Sequence, residues 1–184
     1  LQVLNLKKNL IRLFRHLDYC YKLIVQEESK TLKFYMSKTL KELTWEQHKN
    51  AERQWFAKQM ITGRIEPSVY HKYLVNQYAC YDALESNYGV PIKEVARTKA
   101  IMQDIEYFTP NEFELYPSVQ HYVEHVANGL TNGQHAGHVY VRYMGDLSGG
   151  QMISSKVPGP GYYYKFQGKT DELKQAIRDY IAQF

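Results

Sequence analysis

The sequence predicts an all-α fold in a single domain. Apolar residues recur at three- and four-residue spacing along most of the chain, the period of a one-sided helix. Alternation of period two is confined to YYYKF (162–166), too short to found a sheet. The 184 residues suffice for one substantial core, and neither heptads nor internal repeats are present.

The elements follow in order. Residues 37–60 read as one helix, with Ser37 or Thr39 as cap, Leu40, Leu43, Gln47, Trp55, Phe56 and Met60 on its apolar side, and Thr62-Gly63 closing it. Glu66-Pro67-Ser68 opens a second helix that runs to Gly89, because proline is preorganised for a first turn. Pro91 begins a shorter helical segment ending before Thr109-Pro110. Another pattern starts at Ser118, breaks at Asn128-Gly129 and Asn132-Gly133, and resumes at Gln134. The Pro/Gly-rich stretch KVPGPGYYYKFQGK reads as a loop. Thr170, followed by Asp171 and Glu172, reads as the capped start of a last helix.

Composition narrows the function. No stretch approaches the ~18 apolar residues of a membrane span. Cys20 and Cys80 make neither a disulfide framework nor a metal motif, which points to a reducing, cytoplasmic setting. The net charge of +4 resides in residues 1–35, where seven Lys/Arg face three acids; the remainder holds 16 of each. The main body therefore carries no nucleic-acid footprint. Seventeen tyrosines and seven histidines predict an aromatic interior rich in hydrogen-bonding tips. Residue 1 is leucine and Met36 opens MSKTLKEL, so 1–35 are expected to be an upstream or non-native extension. A transit peptide or a basic membrane-surface helix near 4–25 are the other readings of that segment.

Several side chains could carry chemistry. His48 lies on a helix with Glu52 at i+4 and Lys41 two turns earlier, all on one face. The arrangement suits an imidazole metal ligand steered by a carboxylate, and equally an ordinary surface pair. His135/His138 and His121/His125 lack the third and fourth ligands that zinc requires, and read as structural. Neither a phosphate-binding loop nor a nucleophile elbow is present. In RYMGDLSGGQ, Gly145, Gly149 and Gly150 would strip one stripe of a helix and let it bend. Helix–helix packing through small residues is the plainer alternative. A flat ligand between that stripe and a histidine on another helix is the sharper one.

VYVRYMGDLSGGQ resembles the signature Tyr-x-Arg-Tyr-Leu-Gly-Asp-Leu-Ser-Gly-Gly-Gln of biliverdin-producing haem oxygenases, Met144 being a conservative change. LKELTWEQHKNAE resembles the helix that carries the haem-binding histidine and its glutamate in that family. Over 36–184 the resemblance implies a helical bundle with haem sandwiched between a proximal and a kinked distal helix. It implies that His48 ligates the haem iron and that Glu52 orients it. Gly145 and Gly149 would leave room for O₂. Asp146 would hold proton-delivering water, supported by Arg142 and with Tyr81 as a candidate member. Lys41, Tyr140, Lys174 and Arg178 would face the haem propionates. The implied activity is O₂-dependent cleavage of haem to biliverdin, CO and ferrous iron, with electrons from an external donor such as ferredoxin or a flavoprotein reductase. A haem carrier or sensor without turnover is the alternative, and loss of Asp146 or its glycines would be its mark. The family continues beyond the position matching Phe184, so the domain is expected to be incomplete at its C-terminus.

Overall fold

The computed structural model describes residues 40–108 and 114–184. All regular elements among them are helical, as the sequence predicts. Expectations about residues 1–35, the caps Ser37 and Thr39, and Cys20 lie outside the described residues. Contacts divide the chain after Gln59 into two compact units.

In the first unit the single helix expected over 37–60 is interrupted. It comprises α1 (Leu40–Leu43), α2 (Trp45–Glu52) and α3 (Trp55–Thr62), the last running into the second unit. Thr44 departs from helical geometry at φ −98° and ψ 1°. After Glu52 the ladder tightens, Gln54 N–H donating to Ala51 O at 3.1 Å in place of a bond four residues back.

The second unit is organised by α4 (Pro67–Tyr88). Pro67 occupies its first turn, and Gly89 closes it at φ 73°, a conformation that glycine adopts without steric cost. Tyr70, His71, Leu74, Asn76, Gln77, Cys80, Tyr81, Ala83 and Leu84 are buried, so the helix is enclosed on more than one side. Its buried amides have partners: Asn76 Nδ2 donates to Lys72 O at 2.8 Å, and Asn76 Oδ1 accepts from Tyr116 N–H at 2.9 Å. α5 (Thr98–Tyr107) and α6 (Pro117–Ala127) pack on α4. Ile101, Val119, Val126 and Leu147 fill the core between these elements.

The segment expected to be helical from Pro91 is instead a short 3₁₀ turn, Lys93–Val95, followed by α5. The cause is tertiary: the Glu85 carboxylate on α4 accepts Arg97 N–H (2.7 Å), Thr98 N–H (3.1 Å) and the Thr98 hydroxyl (2.6 Å). A residue of another helix thus caps α5 and fixes its start.

The next helix resumes two residues earlier than Gln134. α7 spans Asn132–Val139 and is set by a capping box, Thr131 Oγ1 accepting from Gln134 N–H while Gln134 Oε1 accepts from Thr131 N–H. It continues through Tyr140–Met144 and Asp146–Gly150, where the winding widens to π-type turns, into Gln151–Ile153. YYYKF is not a strand. Tyr162–Tyr164 form a 3₁₀ turn because buried Asp104 accepts the N–H groups of Tyr162 (2.9 Å) and Tyr163 (2.7 Å). Thr170 is the first residue of α8 (Thr170–Ile181), not its cap; Lys169 holds that position without a side-chain bond. α8 packs on α7 and on the widened turns. Among the described residues no helix is long and apolar enough to cross a membrane.

Candidate functional site

Two parts of the chain hold the residues singled out by the sequence. In the first unit His48 is exposed on α2, its Nε2 lying 3.1 Å from Glu52 Oε1. Its ring stacks on Trp45 at 6.0 Å and 24°. One ring nitrogen is thereby engaged by a carboxylate. Lys41 is exposed one element earlier.

In the second unit the site is the widened stretch after α7. Wide π-type turns are rare and recur at functional positions, because the extra residue re-aims side chains without ending the helix. Here Arg142, Tyr143, Leu147 and Gly150 point inward, while Gly145, Ser148 and Gly149 stay exposed. The three glycines prove unlike one another. A Cβ on Gly150 would lie 2.7 Å from Tyr164 Cδ1, so Gly150 is required by packing within the protein. A Cβ on Gly145 or Gly149 would meet nothing within 4 Å among the described residues. Close packing thus accounts for Gly150 and leaves Gly145 and Gly149 as an open, backbone-lined surface.

Asp146 lies between those two glycines and turns inward. Its Oδ2 accepts from the Tyr81 phenol at 2.5 Å and its Oδ1 from the Tyr163 phenol at 3.2 Å. Burial pushes the Asp146 carboxyl up to about 6, while the Tyr81 bond, the Arg97 charge and the Tyr163 bond hold it from rising further. Burial, reinforced by the Asp146 charge, raises both phenols well above their ordinary range, so both remain O–H donors.

Arg142 does not touch Asp146 directly. Its Nη1 donates to Gln77 Oε1 at 3.3 Å and its Nε to the Tyr122 hydroxyl at 2.9 Å. The guanidinium also lies over the rings of Tyr122 (4.4 Å) and Tyr81 (5.2 Å). Tyr122 then meets His138 Nδ1 at 3.2 Å. His138 is buried and pushed down to about 3, first by burial and then by the Arg142 charge, which keeps it neutral. His135 stacks on Tyr88 at 5.0 Å. Both histidines thus lie among aromatic rings, His135 against Tyr88 and His138 edge-on to Tyr122.

Of the remaining expected positions, Tyr140 sits on the first widened turn, against which α8 packs, and α8 carries half-buried Lys174 and exposed Arg178. Arg178 Nη1 reaches Gln175 Oε1 at 3.3 Å, and neither cation forms an ion pair among the described residues. Tyr163, Gln77, Tyr122 and Arg97 were not expected. For the two tyrosines the aromatic composition was the only signal, and it does not say which phenols meet an acid; Gln77 and Arg97 carried none.

The Heme oxygenase family model matches residues 35–179. Heme oxygenase 2 of Oryctolagus cuniculus is 30% identical over 174 residues, which cover 80% of this chain and 55% of that protein. Heme oxygenase 1 of Synechocystis sp. is 28% identical over 173 residues, covering 78% and 72%. The chain spans about half the length of its mammalian relatives, 58% for heme oxygenase 2 and 47% for heme oxygenase 1 of Rattus norvegicus. Two solved structures share the fold. Heme oxygenase-1 from Synechocystis sp., solved in complex with heme, superposes with a TM-score of 0.68 at 26% identity, over 78% of this chain and 76% of that one. The enzyme from Leptospira interrogans gives 0.66 at 27% identity, over 77% and 82%. The motifs, the all-helical fold and the family match over residues 35–179 agree, and the chain belongs to the haem oxygenase family.

Proposed function

We propose that the chain binds haem as its substrate and cleaves it oxidatively to biliverdin, CO and ferrous iron. One observation carries the reading: Gly145 and Gly149 expose bare backbone that no contact among the described residues explains, on either side of a carboxylate held by two phenols. A flat macrocycle fits such a surface, since a side chain at either position would hold it away. When bound, haem supplies the iron at which O₂ is reduced and the porphyrin edge that is cut.

The chain's own residues bind, orient and handle protons. His48 is the iron ligand, with Glu52 engaging its second nitrogen and fixing the tautomer. Lys174 and Arg178, on the helix that packs against the Tyr140 turn, suit the two propionates together with Tyr140; for Lys41, in the first unit, the same role rests on the motif resemblance alone. Asp146, with its proton affinity brought near neutrality, takes a proton from water at its carboxylate and returns it toward the oxygen side. Arg142 and Gln77 hold the interior beneath it. Electrons come from an external donor, a ferredoxin or a flavoprotein reductase, and the buried free thiol of Cys80 suits a reducing cytoplasm.

The test is reconstitution of the full chain with hemin, followed by reduced ferredoxin or ascorbate in air. Decay of the Soret band with growth of bilin absorbance in the red supports the oxygenase. A Soret band that persists under turnover conditions reduces the chain to a haem carrier, and no Soret shift on adding hemin removes haem altogether. His48→Ala should lose the ligand-field signature of an imidazole-bound iron, and exogenous imidazole should restore it.

A further inference from the structure

Resting on the oxygenase reading, which makes Asp146 the proton-handling carboxylate, the geometry points to Tyr163 as a positioning residue: its phenol, with that of Tyr81, clamps the Asp146 carboxylate from a second, independently braced element.

Tyr81 belongs to α4, whereas Tyr163 comes from the Tyr162–Tyr164 turn beyond the Pro/Gly loop, and the two rings meet edge to face at 5.9 Å and 75°. A phenol has one proton to give. The Tyr163 hydroxyl is 3.2 Å from Asp146 Oδ1 and 3.4 Å from Gln77 Oε1. The nearer, charged acceptor takes it, and Gln77 Oε1 is already served by Arg142.

The turn that carries Tyr163 is built as a brace. Asp104, fully buried, accepts the N–H groups of Tyr162 and Tyr163. Arg97, 4% exposed, donates from Nη1 to Tyr163 O at 2.8 Å and Lys165 O at 3.0 Å, and its guanidinium stacks 3.9 Å over the Phe166 ring. Gly161, at φ 67°, lets the chain turn tightly beside Ser154 O. The neighbouring Tyr164 ring occupies the space that Gly150 leaves by lacking a Cβ. Two successive tyrosines therefore key into Asp146 and Gly150, four residues apart on the widened helix. Such a brace fixes both the direction of the carboxylate and its affinity for a proton.

The groups acting on Asp146 are Tyr81 on α4, Arg97 before α5, Tyr163 on the turn and Arg142 on its own helix, while the phenols of Tyr70, Tyr73 and Tyr164 lie close enough to feel its charge without bonding it. Tyr163→Phe removes one donor to the charged carboxylate and keeps the ring. The full chain without haem, labelled with ¹³C at aspartate carboxyls and assigned with Asp146→Asn, reads the effect directly. Tyr163→Phe should raise the Asp146 proton affinity about tenfold, the scale of one hydrogen bond to a charged acceptor. Tyr164→Phe, whose hydroxyl faces Tyr73 and not Asp146, should leave the midpoint in place. An unmoved midpoint in a cooperatively folded Tyr163→Phe overturns the assignment. Should that variant fail to fold, the parent still decides: the ¹³Cζ resonance of Tyr163 must titrate with the Asp146 midpoint, and a flat resonance overturns the clamp. Because these readouts need no haem, they stand or fall apart from the hemin assay, whose failure sinks only the oxygenase reading.

Discussion

Three glycines within six residues offer a test in which one chemical change should act in opposite directions. Replacing Gly150 by alanine puts a methyl 2.7 Å from Tyr164 Cδ1 and 3.1 Å from Cε1. Tyr164 is 2% exposed and stacked on Tyr163 at 4.3 Å, so the ring cannot step aside. Overpacking of this kind costs about 1–3 kcal/mol, against which alanine regains roughly 0.5–1 kcal/mol of backbone entropy. Gly150→Ala should therefore destabilise the haem-free chain by about 1–2 kcal/mol. Gly145 has ordinary right-handed helical angles, φ −60° and ψ −50°, and a methyl placed on it or on Gly149 would have no neighbour within 4 Å. Their alanine variants should be neutral or stabilised by up to about 1 kcal/mol, since only the entropy difference remains. Urea denaturation of the haem-free chain reads all three, with an expected spread of about 1–3 kcal/mol.

Hemin titration should reverse the order. The methyl groups at 145 and 149 stand on the surface assigned to the macrocycle, so those two variants should bind hemin more weakly and form bilin more slowly than the parent. At Gly150 the methyl points into the protein, and hemin affinity per folded molecule should change least. If Gly149→Ala destabilises the haem-free chain as much as Gly150→Ala, the division of the glycines into packing and ligand positions is wrong. If it leaves both stability and hemin binding untouched, the open surface is not the ligand's.

The buried carboxylates supply two further predictions. The Asp146 carboxyl is pushed up to about 6 from an ordinary 3.8, so its contribution to stability is fully present below about pH 4 and lost as pH rises through 6. Asp146→Asn has no charge to bury, and its amide can donate to the Tyr163 oxygen; relative to the parent it should gain stability between pH 4 and pH 7, a difference that paired denaturation curves measure. A constant difference across that range would mean the carboxylate is not held as described. Asp104→Ala strips the acceptor from the buried Tyr163 N–H, at about 1–3 kcal/mol, and from the part-buried Tyr162 N–H at less. A fall in thermal midpoint, with loss of near-ultraviolet tyrosine ellipticity from the 162–164 turn, is the expected result, and an unchanged midpoint would show the turn is held by other means.

What was legible in the sequence was what local spacing encodes. Pro67 and Gly89 bound a helix by backbone geometry that needs no partner, and both ends lie where the sequence put them. The pattern of Gly145, Asp146 and Gly149 was legible for the same reason, since removing side chains from a stripe is a property of one segment. Two of the departures trace to acids that reach across the fold. Glu85 caps α5 from 12 and 13 residues away, and within the expected loop Asp104 winds Tyr162–Tyr164 into a turn from 58 and 59 residues away. Local spacing does not encode bonds made over such separations. Tyr163 was hidden for the same reason. An aspartate on an inward helix face must be met by donors and the chain has seventeen tyrosines to supply them, but spacing does not choose among them. Only the folded chain brings Tyr81 and Tyr163 together at Asp146, so that its carboxylate is held from two elements rather than one.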